Sequence, residues 1–181
     1  GKGVVVGGQD TGYDWTVSPL KSKYKGFIND TVANHSYVWH DAIHQKSPLA
    51  ADSLNPCGYN LKEPCDDNNH GTHTMGTMVG SETSNLIGVA PGAQWIACRN
   101  MERGNGQLST YLECFEWFLA PTDIDGNNPD PTKAPHVINN SWYCSPEEGC
   151  NPGNWDALQI AVKNLKAAGV VVVVSAGNSG P

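Results

Sequence analysis

Four short segments carry residues whose types and spacing suit chemistry. Asp10-Thr11-Gly12 follows the β-branched run Val4-Val5-Val6, and a carboxylate at a strand end can accept a hydrogen bond from an imidazole and fix its tautomer. Taken alone the triplet equally fits a structural turn, and it also occurs in aspartic proteases. His70-Gly71-Thr72-His73 lies between Asn68-Asn69 and the small-residue run Thr74-Met75-Gly76-Thr77. A helix N-terminus favours the neutral imidazole that a general base needs. A pair of helix-capping histidines, or a zinc site, is the alternative, although no Glu stands between the two histidines. Val137-Ile138-Asn139-Asn140-Ser141-Trp142 reads as a strand running out into a loop. Ser175-Ala176-Gly177-Asn178 directly follows five valines. An Asn side chain held at a strand exit can donate to a developing oxyanion; alone, Asn178 equally fits a turn.

The elements that must position these residues alternate between strand and helix. Residues 3–8, 94–98, 136–140 and 170–174 read as strands. A helix is predicted over 69–79, beginning at His70. A second spans 109–119, with Thr110 and Glu113 spaced for a capping box and Tyr111, Leu112, Phe115 and Leu119 near one face. A third spans 155–168, with Trp155, Leu158, Ala161, Val162 and Leu165 at helical spacing and Gly169 as its stop. Strands alternating with helices imply crossover connections and an α/β fold with a mostly parallel sheet covered on both faces. Reactive groups in such sheets gather beyond the carboxyl ends of the strands, which places Asp10, Ser141 and Asn178 on one rim. Residues 13–67 and 121–135, rich in Gly, Pro, Asn and Ser, read as loops.

The chain has 181 residues, 39% of them hydrophobic, and a formal net charge of −7, which suits a single domain and argues against a nucleic-acid partner. Val170 to Val174 is the longest apolar run, far below the ~20 residues of a membrane span. Gly1-Lys2-Gly3 carries no signal-peptide pattern, so the N-terminus reads as a processed one. Six cysteines suggest three local pairs, Cys57 with Cys65, Cys98 with Cys114 and Cys144 with Cys150. Fifteen connectivities fit an even count of six, and free buried thiols are the alternative. Disulfides would place the protein outside the cytosol.

In order, Asp-Thr-Gly, His-Gly-Thr-His, Asn-Asn-Ser-Trp and Ser-Ala-Gly-Asn resemble the subtilase family of serine proteases. Ile87-Gly88-Val89-Ala90-Pro91-Gly92-Ala93 and Trp117-Phe118-Leu119-Ala120-Pro121 look like its bacillopeptidase F branch. The resemblance runs over nearly the whole chain and implies a three-layer subtilisin-like fold, incomplete here. It also implies that Asp10 orients the base, His70 acts as general base and acid, and Asn178 donates to the oxyanion. Asn140, Ser141 and Trp142 would pair with an extended peptide, and Ser175, Ala176 and Gly177 would wall the primary specificity pocket; His73 would be structural. One departure stands out: the family usually has Gly after Ser-Trp, and here Tyr143 takes that place, which would reshape access of the substrate.

The nucleophilic serine of the resembled family lies in a downstream segment that these residues do not contain. The chain is therefore expected to be the N-terminal portion of one peptidase domain, partnered by the C-terminal half of the same protease as a second chain. Gly177-Asn178-Ser179-Gly180-Pro181 is not that segment, because trypsin-like enzymes run His, Asp, Ser on β-barrels. No cofactor is required by this chemistry. Calcium is common in the family, but residues 81–87 lack a dense acidic ligand set, so a site there would rely on carbonyls. The expected substrates are proteins or peptides outside the cell. A noncatalytic peptide-binding module derived from a protease is the reading from a different class.

Overall fold

The computed structural model describes residues 1–50 and 54–180. In chain order the elements are β1 (Val5–Asp10), α1 (Ser18–Lys21), β2 (Phe27–Asn29), β3 (Val32–Ala33) and β4 (Trp39–Asp41). Next come α2 (His70–Val79), β5 (Ser81–Glu82), β6 (Asn85–Leu86), β7 (Gln94–Arg99), β8 (Met101–Glu102) and β9 (Asn105–Gly106). The last are α3 (Leu108–Leu119), a 3₁₀ turn (Pro131–Lys133), β10 (Val137–Asn140), α4 (Trp155–Ala167) and β11 (Val171–Val174).

Five strands form one sheet in the order β11-β10-β1-β7-β4, and every pairing is parallel. β1 sits in the middle and is buried along its whole length, as a strand covered on both faces must be. Consecutive strand residues point to opposite faces, and two glycines of β1 show what lies there. A Cβ added at Gly7 would meet Ile138 and Phe118 at 2.8 Å, whereas one at Gly8 would run into Tyr13 and, at 2.8 Å, Met75. Helix α2 thus covers one face and α3 the other, with α4 beside α3 through buried Leu165. The predicted three layers and mostly parallel sheet are present.

The structure departs from the sequence reading in detail. The stretch 13–67 is not all loop: β4 lies in the main sheet, with Trp39 opposite Ala97 and Asp41 opposite Arg99. Three residues are too short for an alternation signal, and pairing with β7 is what makes them a strand. The capping box of α3 is made by Gln107 and Thr110 rather than by Thr110 and Glu113; Thr110 is its third helical residue, and Glu113 instead accepts from His40 and His44. Trp155, counted on the apolar face of α4, is half exposed.

All three local cysteine pairs are bridged: Cys57–Cys65, Cys98–Cys114 and Cys144–Cys150. The Cys98 bridge ties β7 to α3. Beside it, Arg99 is fully buried and donates from Nε and Nη2 to the two carboxylate oxygens of Asp41 at 2.9 and 3.0 Å. The same guanidinium reaches the Gly58 carbonyl at 2.6 Å and Asp67 at 3.5 Å, pinning the loop before α2 to the sheet. Buried charge is tolerated only when paired and hydrogen-bonded in this way.

Candidate active site

Asp10 closes β1 and is fully buried, while His70 opens α2 with its ring half exposed. The two meet at 2.7 Å between His70 Nδ1 and Asp10 Oδ1, and Thr11 N–H donates to the same oxygen at 2.7 Å. A proton on Nδ1 shared with the carboxylate selects the tautomer in which Nε2 is an acceptor. Burial raises the Asp10 carboxyl above its ordinary value; the bonds from His70 and Thr11 work against that rise. Asp10 Oδ2 is buried and has no hydrogen-bond partner among the described residues.

The sequence reading missed what holds this pair together. Asn69 stands before α2 in a left-handed conformation (φ 69°) and offers no side-chain cap. Asp66 caps instead, accepting from Asn69 N at 2.8 Å, Thr72 N at 2.8 Å and Thr72 Oγ1 at 2.6 Å. It also accepts from Thr11 Oγ1 at 2.8 Å, and that hydroxyl in turn accepts from Gly71 N at 3.1 Å. One carboxylate therefore fixes the exit of β1 against the start of α2. Gly12 and Gly71 make the approach sterically feasible. A Cβ at Gly71 would collide with the Gly12 carbonyl, and one at Gly12, where φ is +110°, with the Cys65 carbonyl. The signal was present in Asp66-Asp67-Asn68-Asn69, since Asp and Asn accept backbone N–H groups two or three residues on, but the run reads as loop.

A second missed feature is a row of buried amides crossing the carboxyl ends of the strands. Asn100 Nδ2 donates to Gln9 Oε1 at 3.0 Å, Gln9 Nε2 to Asn140 Oδ1 at 2.5 Å, and Asn140 Nδ2 to the Val173 carbonyl at 2.8 Å. All three side chains are essentially inaccessible. The row links the residue after β7 to β1, β10 and β11 at the level where the site begins.

The strand register aligns Asp10 with Arg99, Gly8 with Asn139 and Asn140 with Val174. Continued by two residues it brings Ser141 level with Asp10, so the rim expected for these two exists, with Asp10 as the last strand residue rather than the first loop residue. Asn140 is buried inside β10, and Ser141 and Trp142 follow it half-buried. A cleft of about 210 Å³ is lined by His70, Thr11, Ser141, Trp142 and Tyr143 together with Met101 and Gly104. A wider cleft of about 780 Å³ brings Ser141 to Cys144 together with Ser175, Ala176, Gly177 and Asn178. Asn178 stands four residues beyond β11 and is exposed. His73 points outward from α2, and among the described residues no group of three His, Cys, Asp or Glu is placed to hold a metal ion.

The carboxylate–imidazole pair stands at a parallel-sheet rim, beside an extended segment and a Gly-Asn loop, an arrangement suited to proton transfer. The chain matches the subtilase family model over residues 1–181, and it belongs to that family. It is 39% identical over 183 residues to Bacillopeptidase F of Bacillus subtilis (strain 168), covering 99% of this chain and 11% of that protein. It is 29% identical over 185 residues to Serine protease AprX of the same organism, covering all of this chain and 34% of that protein. Among solved structures it superposes on Sphericase with a TM-score of 0.63 at 21% identity, covering 100% of this chain and 48% of that one. The chain thus spans less than half the length of these relatives. The family, and the imidazole rather than carboxylate partner of Asp10, overturn the aspartic-protease reading of Asp10-Thr11-Gly12.

Proposed function

We propose that this chain supplies the acid–base part of a subtilisin-type serine endopeptidase acting on proteins or peptides. The 2.7 Å contact between His70 Nδ1 and Asp10 Oδ1 carries the reading. In it, His70 Nε2 takes the proton of a serine hydroxyl as that oxygen attacks the scissile carbonyl. Asp10 stabilises the imidazolium, and His70 then gives the proton to the departing amine, leaving an acyl-enzyme that water cleaves by the reverse sequence. Asn178 donates to the oxyanion. Ser141 and Trp142 present backbone to the peptide, while Asn140, expected to join them, is committed to the sheet through its pairing with β11. Ser175, Ala176 and Gly177 line the pocket for the side chain before the cleaved bond.

The serine is proposed to come from the C-terminal portion of the same domain, on this polypeptide or on a second one. The exposed Val171, Val173 and Val174 of β11 offer that portion an apolar sheet edge, of the kind sheets seldom leave uncovered. An oxidising, extracellular setting fits three disulfides, and among the described residues no helix is long and apolar enough to cross a membrane. The test is labelling of the purified protein with a tagged fluorophosphonate, followed by mass spectrometry of the labelled band, with His70→Ala alongside. Label on a C-terminal serine that disappears in the variant supports the reading. With the C-terminal portion present in the sample, an unlabelled protein, or a variant keeping a tenth of the wild-type activity, refutes it.

A further inference from the structure

Between β10 and α4 the Cys144–Cys150 bridge closes a small loop whose Glu148 reaches out of it. The Glu148 carboxylate accepts from Ser145 N at 2.8 Å within the loop. Outside it, the same carboxylate accepts from Gly106 N at 2.7 Å in β9 and from Tyr111 Oη at 2.9 Å in α3. The Glu148 carbonyl also accepts from Leu108 N at 3.1 Å. Tyr111 is fully buried and stacks on Trp142 with 4.0 Å between ring centroids and 9° between planes. At Gly106 an added Cβ would collide with the Tyr111 ring, so the β8–β9 hairpin is pressed onto it.

These contacts join two separate walls. The cleft that holds His70 has Met101 and Gly104 of the β8–β9 hairpin on its lining, together with Trp142 and Tyr143 after β10. Glu148 is bonded to the hairpin through Gly106 and braces Trp142 through Tyr111. The geometry points to Glu148 as a positioning residue that sets the width of the peptide groove, an inference that rests on the groove being the peptide site. A carboxylate suits the role because it accepts several bonds at once, and bonds to an ionised acceptor are roughly twice as strong as neutral ones. The bridge holds Glu148 in reach of both walls. Asp10 and His70 are held by Asp66, a separate device, so widening the groove should spare the acid–base pair.

The test, on the protein with its C-terminal portion present, compares wild type with Glu148→Ala and Tyr111→Phe, the latter removing one donor while keeping the stacked ring. Two probes are used: a hexapeptide with a reduced scissile bond, followed by direct binding, and a single-residue ester with fluorophosphonate labelling. Glu148→Ala should weaken hexapeptide binding, and raise KM for the cleavable hexapeptide, by about 10-fold or more, while ester kcat and labelling rate stay within about 3-fold. Tyr111→Phe should shift the same way by less, and it covers the case in which Glu148→Ala does not fold. Unchanged hexapeptide binding in both variants overturns the inference, as does an equal loss on both probes. If wild type binds the hexapeptide without hydrolysis or labelling and Glu148→Ala weakens that binding, the groove inference stands and the protease reading falls. If wild type cleaves and both variants keep a normal KM, the protease reading stands and the groove inference falls. Wild type that neither binds nor cleaves overturns both.

Discussion

Replacing Asp66 by alanine removes an acceptor of five hydrogen bonds, from Thr11 Oγ1, Asn68 N, Asn69 N, Thr72 N and Thr72 Oγ1. The N–H groups of Asn68 and Asn69 belong to exposed residues, so water can replace the carboxylate there at small cost. Thr11 and Thr72 are buried or half-buried, and their three bonds are the ones lost outright. At about 1 kcal/mol net for each, the loss is about 3 kcal/mol. A chain of 150–250 residues shifts about 2–4 °C for each kcal/mol, so Tm should fall by about 6–12 °C. Urea unfolding should show a lower midpoint at unchanged slope. Asp66→Asn keeps one carbonyl oxygen and should recover about half the loss. The His70 Nδ1 proton, protected in wild type by its bond to Asp10, should exchange faster in the alanine variant. A destabilisation below about 1 kcal/mol with an unaltered Nδ1 proton would refute Asp66 as the link between β1 and α2.

The His40–Glu113–His44 cluster should give a distinct pH dependence. Burial draws the His44 value down, but the Asn60 and Glu113 contacts outweigh it and raise it above 6.5. Burial likewise pushes Glu113 up, and the bonds and charges of His40 and His44 bring it below 4.5. A raised His stabilises below its unfolded pKa and loses the effect as pH climbs through its folded value. A depressed Glu stabilises above its unfolded pKa and loses the effect as pH falls through its folded value. Glu113→Gln should therefore lower Tm most near about pH 5.5–6 and least near about pH 9; a difference that is flat across that range, measured by calorimetry, would contradict the assignment. Tyr143, exposed and lining both clefts, should restrict peptide access. Tyr143→Gly is expected to broaden or shift preference across a peptide panel, and identical kinetics on every peptide would count against it.

The alternation of strands and helices is legible because Val4-Val5-Val6, Trp95-Ile96-Ala97-Cys98 and the five valines at 170–174 are apolar runs of strand length, and α3 and α4 keep helical spacing. Asp10 and His70 are singled out by the order of four motifs that resembles the subtilase family, since each segment alone equally fits a turn or a helix cap. What escaped was held by long-range pairing. Nothing local in Trp39-His40-Asp41 specifies a strand; β7 does. Gln9, Asn100 and Asn140 look like ordinary polar residues until the register lays their side chains end to end. Glu148 lies in a small disulfide loop and gains its meaning from Gly106 and Tyr111, which are 42 and 37 positions away. Asp66 was nearer to hand, since its partners are mostly local, yet only the backbone path shows that its side chain turns toward the helix.

Gly12 and Gly71 leave no room for even a methyl group where the strand exit lies against the Cys65 carbonyl and the helix start against the Gly12 carbonyl. Here main chain lies directly on main chain, and these two positions are closed to side-chain replacement. On the proposed reading, what the site accepts can be revised in the segments that frame it: the stretch after β10, the β8–β9 hairpin, the small disulfide loop and the turn after β11. Divergence among such chains should therefore concentrate in these segments, with Asp10, His70 and the two glycines repeated beneath different openings. That separation gives a practical rule for mutagenesis libraries: randomise around Tyr143 and Glu148, and leave the two glycines alone.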